Sequence, residues 1–341
     1  KMRDVLNLFV EAGAPAEIKY LHKPHIGTDK LKIMVKNLRK KIIQLGGEVL
    51  FESQVTDIEI KDDKICGVVV NDDLHIKCSL IMLGIGHSAR DTYEMLHQKG
   101  VAMQAKPFAV GVRIEHPQNF IDDVQYGKEA GHERLPVADY ALTYQDKETN
   151  RGAYSFCMCP GGEVVAATSE FNQVVTNGMS NFRRDSGVAN SALLVTVGPE
   201  DFGSDVLAGI AFQRKYEKLA FECAGSNYFA PVQTVGDFLN GKSGSKDFLI
   251  QPTYRPGVTP VDLRECLPKF ITETLRHALP DFGRKIKGFD HPSAVMTGIE
   301  SRSSAPCRII RDKEYVSIST EGLYPIGEGA GYAGGIMSAA L

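Results

Sequence analysis

The sequence lacks several features that would point to whole classes of protein. One of its longest apolar runs, residues 79–85, falls far short of the roughly 20 residues that a membrane-spanning helix needs. The formal net charge of −3 provides no positive field for capturing a polyanion, which disfavours nucleic-acid binding. We therefore expect neither a membrane partner nor a nucleic-acid partner.

The seven cysteines do not form the pattern of a disulfide framework. They are scattered, odd in number and mostly set among apolar residues, which favours reduced thiols in a cytoplasmic protein. No companion pair of Cys or His stands at zinc-ligand spacing, so we predict no metal site. The spacing also yields no Ser-His-Asp set and no pair of hydrolytic carboxylates.

The carboxy-terminal segment carries the strongest functional signal. Residues 323–326 form a short apolar run typical of a buried strand, and the turn 327–329 follows it. A second glycine-rich stretch, 331–335, opens an expected helix of small residues over 336–341. Such glycines let backbone N–H groups approach a ligand, and the Glu328 carboxylate can accept hydrogen bonds from sugar-like hydroxyls. The segment suits a nucleotide cofactor; the alternative is a tight turn with a structural role only.

The spacing around this segment resembles a known flavin motif. Thr320, six residues, then Gly327 and Glu328 is similar to the second flavin-binding motif of two-dinucleotide-domain flavoproteins, which usually reads Thr-x6-Gly-Asp. From about residue 23 onward the chain resembles the family of uncharacterised FAD-dependent dehydrogenases. Four segments carry that resemblance in the same order, namely residues 23–29, 86–91, 106–116 and 329–336.

The chain departs from the family pattern in two ways. Glu328 replaces the usual Asp, and the amino-terminal Gly-x-Gly-x-x-Gly turn is absent. Because the chain opens at Lys1 without an initiator Met and stops inside an apparent helix at Leu341, we interpret it as a piece of a longer protein. The part that clamps the FAD pyrophosphate is expected upstream of Lys1. We accordingly expect the complete protein to be yellow and this chain alone to be colourless.

The resemblance implies FAD as the cofactor. In related flavoproteins the acid holds the ribityl chain, the following helix points its amino terminus at the flavin, and the strand near Gln54 meets the adenine. The cofactor-binding residues implied in this sequence are Gln54, Val55, Gly84, Gly86, His87, Gly327, Glu328, Gly329, Gly331, Gly334, Gly335 and Ile336.

Helical spacing and capping signals mark the amino-terminal region. A helix is predicted over residues 2–13, and Thr28 or Asp29 is expected to cap a second, amphipathic helix that ends at Gly46. Its predicted apolar face consists of Leu31, Val35, Leu38, Ile42 and Leu45.

The order of elements predicts an α/β fold with an inserted domain. An incomplete, discontinuous FAD/NAD(P)-binding Rossmann-like domain is expected from residues 1–105 and 292–341. Short strand-like runs dominate residues 106–291, which we interpret as an inserted, mainly antiparallel α+β domain that covers the flavin and contacts the substrate.

Three residues are candidates for a catalytic role. His25 precedes a helix start and is interpreted either as a proton donor or anion site near the flavin, or as an ordinary loop histidine. Arg113 is expected either to hold a substrate carboxylate or to pair with Glu115 on the same strand face, the latter being favoured. Arg302 lies in the run before the final motif and is a candidate for the substrate side.

Two further sets of residues have competing interpretations. His87 and Arg90 follow the Gly84–Gly86 turn as candidate cofactor neighbours, whereas the alternative for Arg90 is a pair with Asp91. Cys157 and Cys159 are interpreted as two small hydrophobic residues in a strand, since their spacing is not that of a redox pair.

The predicted function is that of an FAD-dependent oxidoreductase. The resemblance implies a dehydrogenase that moves a hydride between a small organic substrate and the flavin, with the cofactor performing the redox chemistry. The alternative is a flavoprotein-fold scaffold, or a partner in tRNA modification, without dehydrogenase activity. A basic surface stripe with exposed aromatic residues would favour that alternative, and the charge balance argues against one.

Overall fold

The computed structural model describes residues 1–148 and 150–341. The strands of this described part are β1 (Val55–Lys61), β2 (Lys64–Val70), β3 (Leu74–Lys77), β4 (Ile81–Leu83), β5 (Met103–Ala105), β6 (Phe108–Pro117), β7 (Thr143–Gln145), β8 (Gly152–Cys159), β9 (Gly162–Ala166), β10 (Thr176–Ser180), β11 (Val188–Val197), β12 (Ala230–Thr234), β13 (Val258–Pro260), β14 (Val295–Glu300), β15 (Cys307–Ile309) and β16 (Leu323–Pro325).

Helices connect and cover these strands. They are α1 (Met2–Glu11), α2 (Thr28–Gln44), α3 (Arg90–Gln98), α4 (Gln118–Tyr126), α5 (Pro199–Phe202), α6 (Ala208–Cys223), α7 (Val235–Asn240), α8 (Lys269–Lys285) and α9 (Ile336–Ala340). Within the described part of the chain, none of these helices is long and apolar enough to cross a membrane.

A seven-stranded mixed sheet forms the larger core, in the order β13-β12-β14-β6-β11-β8-β7. Its central strands β6 and β11 run antiparallel, with Val112 opposite Leu193, and both residues are fully buried. Nearly every position of β6 is buried, including the charged residues Arg113 and Glu115, so both faces of the strand are covered. Helices α4, α6 and α8 pack against this sheet and complete the core.

A smaller core lies beside it, around the parallel pair β4 and β16. Leu83 on β4 and Leu323 on β16 are buried there, together with Tyr93 and Leu96 of α3. The antiparallel sheet β1-β2-β3 and the pair β5-β15 flank this core. The prediction of a mixed α/β chain is therefore confirmed.

Helix α2 differs from its prediction in two respects. Gly27, not Thr28 or Asp29, occupies the position before the helix, and the Asp29 carboxylate accepts a hydrogen bond from the backbone N–H of Phe182. The predicted apolar face is also largely uncovered, since Leu45 is 78% exposed. The residue spacing predicted the helix correctly, but it wrongly implied that the apolar face of the helix is buried.

Strand β14 begins after residue 292, in the part of the chain predicted to belong to the FAD-binding domain, yet it is a strand of the large sheet. It lies between β12 and β6 in the seven-stranded sheet, with Thr297 opposite Arg113. The chain therefore leaves the large sheet only after Glu300 and then enters the smaller core at β15.

Glu115 on β6 is a buried acid without a cationic partner. Its Oε1 accepts hydrogen bonds from the backbone N–H and the hydroxyl of Thr253, at 3.1 and 2.6 Å. Its Oε2 has no partner within the described residues. Burial raises the pKa of the Glu115 carboxyl to about 7, despite the opposing hydrogen bonds from Thr253.

Replacing Glu115 by Gln tests whether the pKa of the Glu115 carboxyl is raised in the folded protein. A raised folded-state pKa stabilises the protein fully below the unfolded pKa of about 4.5, and that stability is lost as the pH rises through about 7. The free energy of unfolding of Glu115→Gln, minus that of the parent, should therefore increase by roughly 3 kcal/mol between pH 4.5 and 8. Denaturant unfolding at several pH values measures this difference. A pH-independent difference, like that expected for the exposed Glu129→Gln, would contradict the assignment.

Candidate functional site

Two glycine turns meet at one edge of the smaller core. The segments 84–89 and 326–331 directly follow the carboxyl ends of β4 and β16, which pair in parallel. Their backbones touch, because a Cβ placed on Gly329 would lie 2.4 Å from the carbonyl oxygen of Gly86. Only glycine fits at position 329.

The hydroxyl of Tyr93 ties the two turns together. It lies 2.7 Å from the carbonyl oxygen of Gly329 and 3.3 Å from that of Gly86, so one buried donor serves both backbones. Burial raises the pKa of Tyr93 far above its usual value, which keeps the hydroxyl protonated and able to donate.

His87 and Glu328 face each other across the junction of the turns. The distance from His87 Nε2 to Glu328 Oε1 is 3.8 Å, and the Glu328 side chain is 32% exposed. Burial lowers the pKa of His87; the Glu328 carboxylate opposes this, while Arg302 and Arg90 reinforce it. His87 is therefore a neutral imidazole at neutral pH, and its buried Nδ1 has no hydrogen-bond partner in the described part of the chain.

A buried ion-pair network stands behind His87. Arg90 is 1% exposed and donates to both carboxylate oxygens of Glu217, at 2.7 and 2.8 Å. The alternative prediction, a pair of Arg90 with Asp91, is therefore wrong. Arg302 donates to the same carboxylate at 2.8 and 3.1 Å. Burial alone would raise the pKa of Glu217, but hydrogen bonds from Arg302 and Arg90 outweigh it and hold the pKa at about 2.

Arg113 occupies a second buried network. The predicted pair with Glu115 is wrong, since Arg113 binds Glu300 on the neighbouring strand, with Nη2 to Oε1 at 2.9 Å. Its remaining donors contact the Cys157 carbonyl oxygen and the side-chain oxygens of Asn177 and Asn190. The guanidinium is thus fully engaged inside the fold, and alternation along β6 did not reveal this cross-strand partner.

Cys157 projects from an irregular point of β8. The register between β8 and β11 shifts here, and Cys157 has φ +44°, so its thiol leaves the buried face that Cys159 keeps. The interpretation of both cysteines as small hydrophobic residues is therefore wrong for Cys157, which is exposed. A hydrogen bond from Cys159 lowers the pKa of Cys157 to about 6, burial opposes the shift, and the charge of Arg113 reinforces it.

His25 lines a cavity together with Cys157 and Ile336. Its Nε2 lies 3.1 Å from the carbonyl oxygen of Asn181. Burial lowers the pKa of His25, so the ring is neutral at neutral pH. The loop that carries His25 is thereby joined to the turn after β10.

The predicted adenine-contacting residue Gln54 lies beside the start of α3. The backbone N–H of Gln54 donates to the Asn71 side chain, and its Nε2 donates to Asp91 of α3 at 2.7 Å. Val55 opens β1 and is 38% exposed.

A family described as "FAD-dependent protein, C-terminal domain-like" matches residues 107–303, which is more than half of the chain. The chain belongs to this FAD-dependent family. FAD is accordingly its cofactor, and the expectation of FAD is confirmed.

A curated protein from Clostridium beijerinckii, itself described as uncharacterized, is 54% identical to this member of the family over 338 residues. The match covers 99% of this chain and 63% of that relative. The chain thus spans less than two thirds of the relative's length.

Three solved structures show weaker similarity to this family member. A triple mutant of the flavin-dependent brominase Bmp2 has a TM-score of 0.35 and 11% identity, over 91% of this chain and 51% of that chain. CtdE in complex with FAD has a TM-score of 0.30 and 10% identity, over 89% of this chain and 53% of that chain. An oxidoreductase from Methanosarcina mazei has a TM-score of 0.33 and 13% identity, over 92% of this chain and 53% of that chain. TM-scores this low carry no argument about function.

The residues at the two turns fit the cofactor of the family. A Cβ placed on Gly86, Gly327 or Gly334 would meet no atom within 4 Å, so the glycine backbone is open to a ligand. Glu328 presents a partly exposed acceptor to ligand hydroxyls, and His87 Nδ1 lacks a partner. Open backbone, acceptor and unpartnered nitrogen suit the polyol and ring edges of a flavin.

Sequence reasoning missed several residues of this region. Tyr93, Glu217 and Arg184 act through contacts between segments far apart in the chain, and no local spacing connects them. For Glu217 an indirect signal existed, because an acid within a helical run beside apolar residues is a candidate buried partner for arginine.

The thiol of Cys157 gives a pH-dependent prediction. Because the thiolate is the reactive form, alkylation of Cys157 by iodoacetamide should reach half its maximal rate near pH 6. Replacing Cys159 by Ala removes the hydrogen bond and should raise this midpoint toward the ordinary value of about 9, whereas Cys159→Ser keeps a donor and should shift it less. Peptide mass spectrometry measures the rate, with exposed Cys66 as internal reference. Equal midpoints in the Ala and Ser variants would refute the role of Cys159.

Proposed function

We propose that this chain forms a large part of an FAD-dependent oxidoreductase that transfers a hydride between a small organic substrate and the flavin. The observation that carries the proposal is the meeting of the two glycine turns at the carboxyl ends of the parallel strands β4 and β16. Ligands of open parallel sheets bind beyond the carboxyl ends of the strands. Membership of an FAD-dependent family supports FAD as the ligand there.

The open glycine backbone is the proposed resting surface for the flavin. We assign the contact to Gly84, Gly86, Gly327, Gly329, Gly331, Gly334, Gly335 and Ile336. The partly exposed Glu328 carboxylate accepts hydrogen bonds from the ribityl hydroxyls. Gln54 and Val55, at the start of β1, contact the adenine end.

His87 acts as a neutral hydrogen-bonding group in this proposal. Its Nε2 faces Glu328 at the junction of the two turns. Burial lowers the pKa of His87 and the charges of Arg302 and Arg90 reinforce this, which keeps the ring neutral, and the pairing of these arginines with Glu217 fixes the turn. When bound, FAD supplies the hydride-accepting centre. The protein's residues position the cofactor and the substrate and exclude water from them, and they perform no redox chemistry themselves.

In this proposal, each of the two cores forms one domain with its own function. The FAD-binding part comprises residues 1–105 and the chain after β14, built around β4 and β16 in a Rossmann-like arrangement. Residues 106–300, with the seven-stranded sheet, form the inserted domain that closes over the flavin. This division keeps the predicted discontinuity and moves its second boundary from 292 to the end of β14.

Replacing Glu328 by Ala tests the flavin site. Loss of a charged hydrogen-bond acceptor, which contributes about 1.5–3 kcal/mol, should weaken FAD binding by roughly ten- to a hundredfold. The measurement, made on the complete protein, is the flavin absorbance that remains after gel filtration, followed by fluorescence titration with FAD. The exposed Glu314→Ala on the same carboxy-terminal segment should bind FAD like the parent. Parent-like FAD retention by Glu328→Ala would refute the assigned site.

Anaerobic reduction tests the hydride transfer itself. The FAD-loaded protein is mixed with a panel of small alcohols, amines and saturated carboxylates and with reduced nicotinamides, and loss of visible flavin absorbance is followed. Deuterium at the donated position should slow the loss severalfold. Flavin that is reduced by light with a sacrificial donor, but by no organic hydride donor, would contradict hydride transfer while leaving FAD binding intact.

A further inference from the structure

A cavity of about 390 Å³ lies beside the carboxy-terminal turn, and its volume is that of a small-molecule site. It is bounded by α1, the loop before α2, residues 157–160, the end of β10 and the start of α9. Most of its wall is apolar, with side chains such as Leu6, Phe9, Ile18 and Met337. The body of any occupant must therefore be largely hydrocarbon.

One cation interrupts this apolar wall. Arg184 lines the cavity, its Nε is buried, and that atom has no hydrogen-bond partner within the described residues. Burial lowers the pKa of Arg184, and the charge of Asp139 opposes this shift only in part. A side chain with bidentate donors and no anion beside it is a site for an anionic ligand.

The acids nearest to Arg184 do not neutralise it. Asp139 acts on Arg184 only through its charge, and its carboxylate is bound to Lys23 Nζ at 2.8 and 3.0 Å. Cys159, the other group that acts on Arg184, is held protonated because its pKa is raised by its hydrogen bond to Cys157 and by burial.

The neighbouring histidine does not add a second positive charge. His25 Nε2 is 3.1 Å from the carbonyl oxygen of Asn181, which also accepts the backbone N–H of Arg184 at 3.1 Å. With its ring neutral, His25 contributes a hydrogen-bonding edge beside the guanidinium. Among the described residues that line the cavity, Arg184 carries the one full positive charge, Cys157 contributes an acidic thiol, and most of the remaining wall is apolar.

We propose that this cavity is the substrate pocket and that it takes a small apolar molecule with one carboxylate, which binds Arg184. This inference rests on the proposed oxidoreductase function and names the substrate class. A second carboxylate would be buried against apolar side chains without a partner, which costs several kcal/mol, so dicarboxylates are excluded. A neutral substrate would leave the half-buried Arg184 guanidinium without an anionic partner, so the acid is preferred over its amide.

The probe that tests this is 3-phenylpropionate, compared with its neutral isostere 3-phenylpropionamide. Cys157 lines the same cavity and is exposed, so an occupant should slow its alkylation by iodoacetamide. Exposed Cys66, which does not line this cavity, is the internal control. Peptide mass spectrometry over a ligand titration then gives the dissociation constant of each compound for the FAD-loaded protein.

We expect 3-phenylpropionate to protect Cys157 but not Cys66, and to bind at least about tenfold more tightly than the amide. Arg184→Gln should remove this preference, and Arg184→Lys should keep part of it because the charge remains but the planar fork is lost. The adjacent, exposed Arg183→Gln should behave like the parent.

Equal binding of acid and amide by the parent protein would overturn the proposal, and this comparison needs no variant that could misfold. Absence of protection at millimolar ligand would overturn it as well. Protection of Cys157 does not require hydride transfer, so a lack of protection is distinguishable from failure of the proposed function. The proposed function is tested separately, by FAD retention in Glu328→Ala and by anaerobic flavin reduction.

Discussion

The arrangement of the site depends on the buried carboxylate of Glu217. This residue belongs to α6 in the large core, yet it receives hydrogen bonds from Arg90 of α3 in the small core and from Arg302 in the connection after β14. Because α3 begins directly after His87, the ion pairs that join the cores also fix the glycine turn. Losing one partner of such a group leaves a buried charge uncompensated, at a cost of about 3–5 kcal/mol. The ion pairs that connect the two cores and the candidate site are therefore one structural unit.

Three arginines of the candidate site and the cavity divide into two kinds. Arg113 and Arg302 are buried with carboxylates of their own, Glu300 and Glu217, and every donor nitrogen of Arg113 has a partner. Both were sequence candidates for a role on the substrate side, and these ion pairs hold their side chains in place inside the fold. Among the described residues, no carboxylate forms an ion pair with Arg184. In a chain with many buried ion pairs, the uncompensated guanidinium is the one whose partner is expected to come from outside.

The sequence predicted the elements better than the contacts between them. The strand-turn-helix around Glu328 and the helices α1 and α2 follow from local spacing and glycine placement, which are short-range effects. The ion pair of Arg113 with Glu300 joins residues 187 positions apart, and Arg90 with Glu217 joins residues 127 apart. Such pairs depend on sheet order, which local periodicity does not determine. The exposure of Cys157 depends on one irregular residue in β8, which a Cys-x-Cys pattern on a regular strand conceals.

The cavity and the glycine surface share a wall. Ile336, the first residue of α9, follows the open Gly334 and Gly335 and also lines the cavity beside Cys157 and His25. Hydride transfer requires donor and acceptor atoms about 3–3.5 Å apart, so a substrate pocket must adjoin the flavin surface directly. In the described residues, the cavity bounded by Ile336 adjoins the glycine surface on which we propose that the flavin rests. Ile336 thus connects the cavity that contains Arg184 to the proposed flavin site.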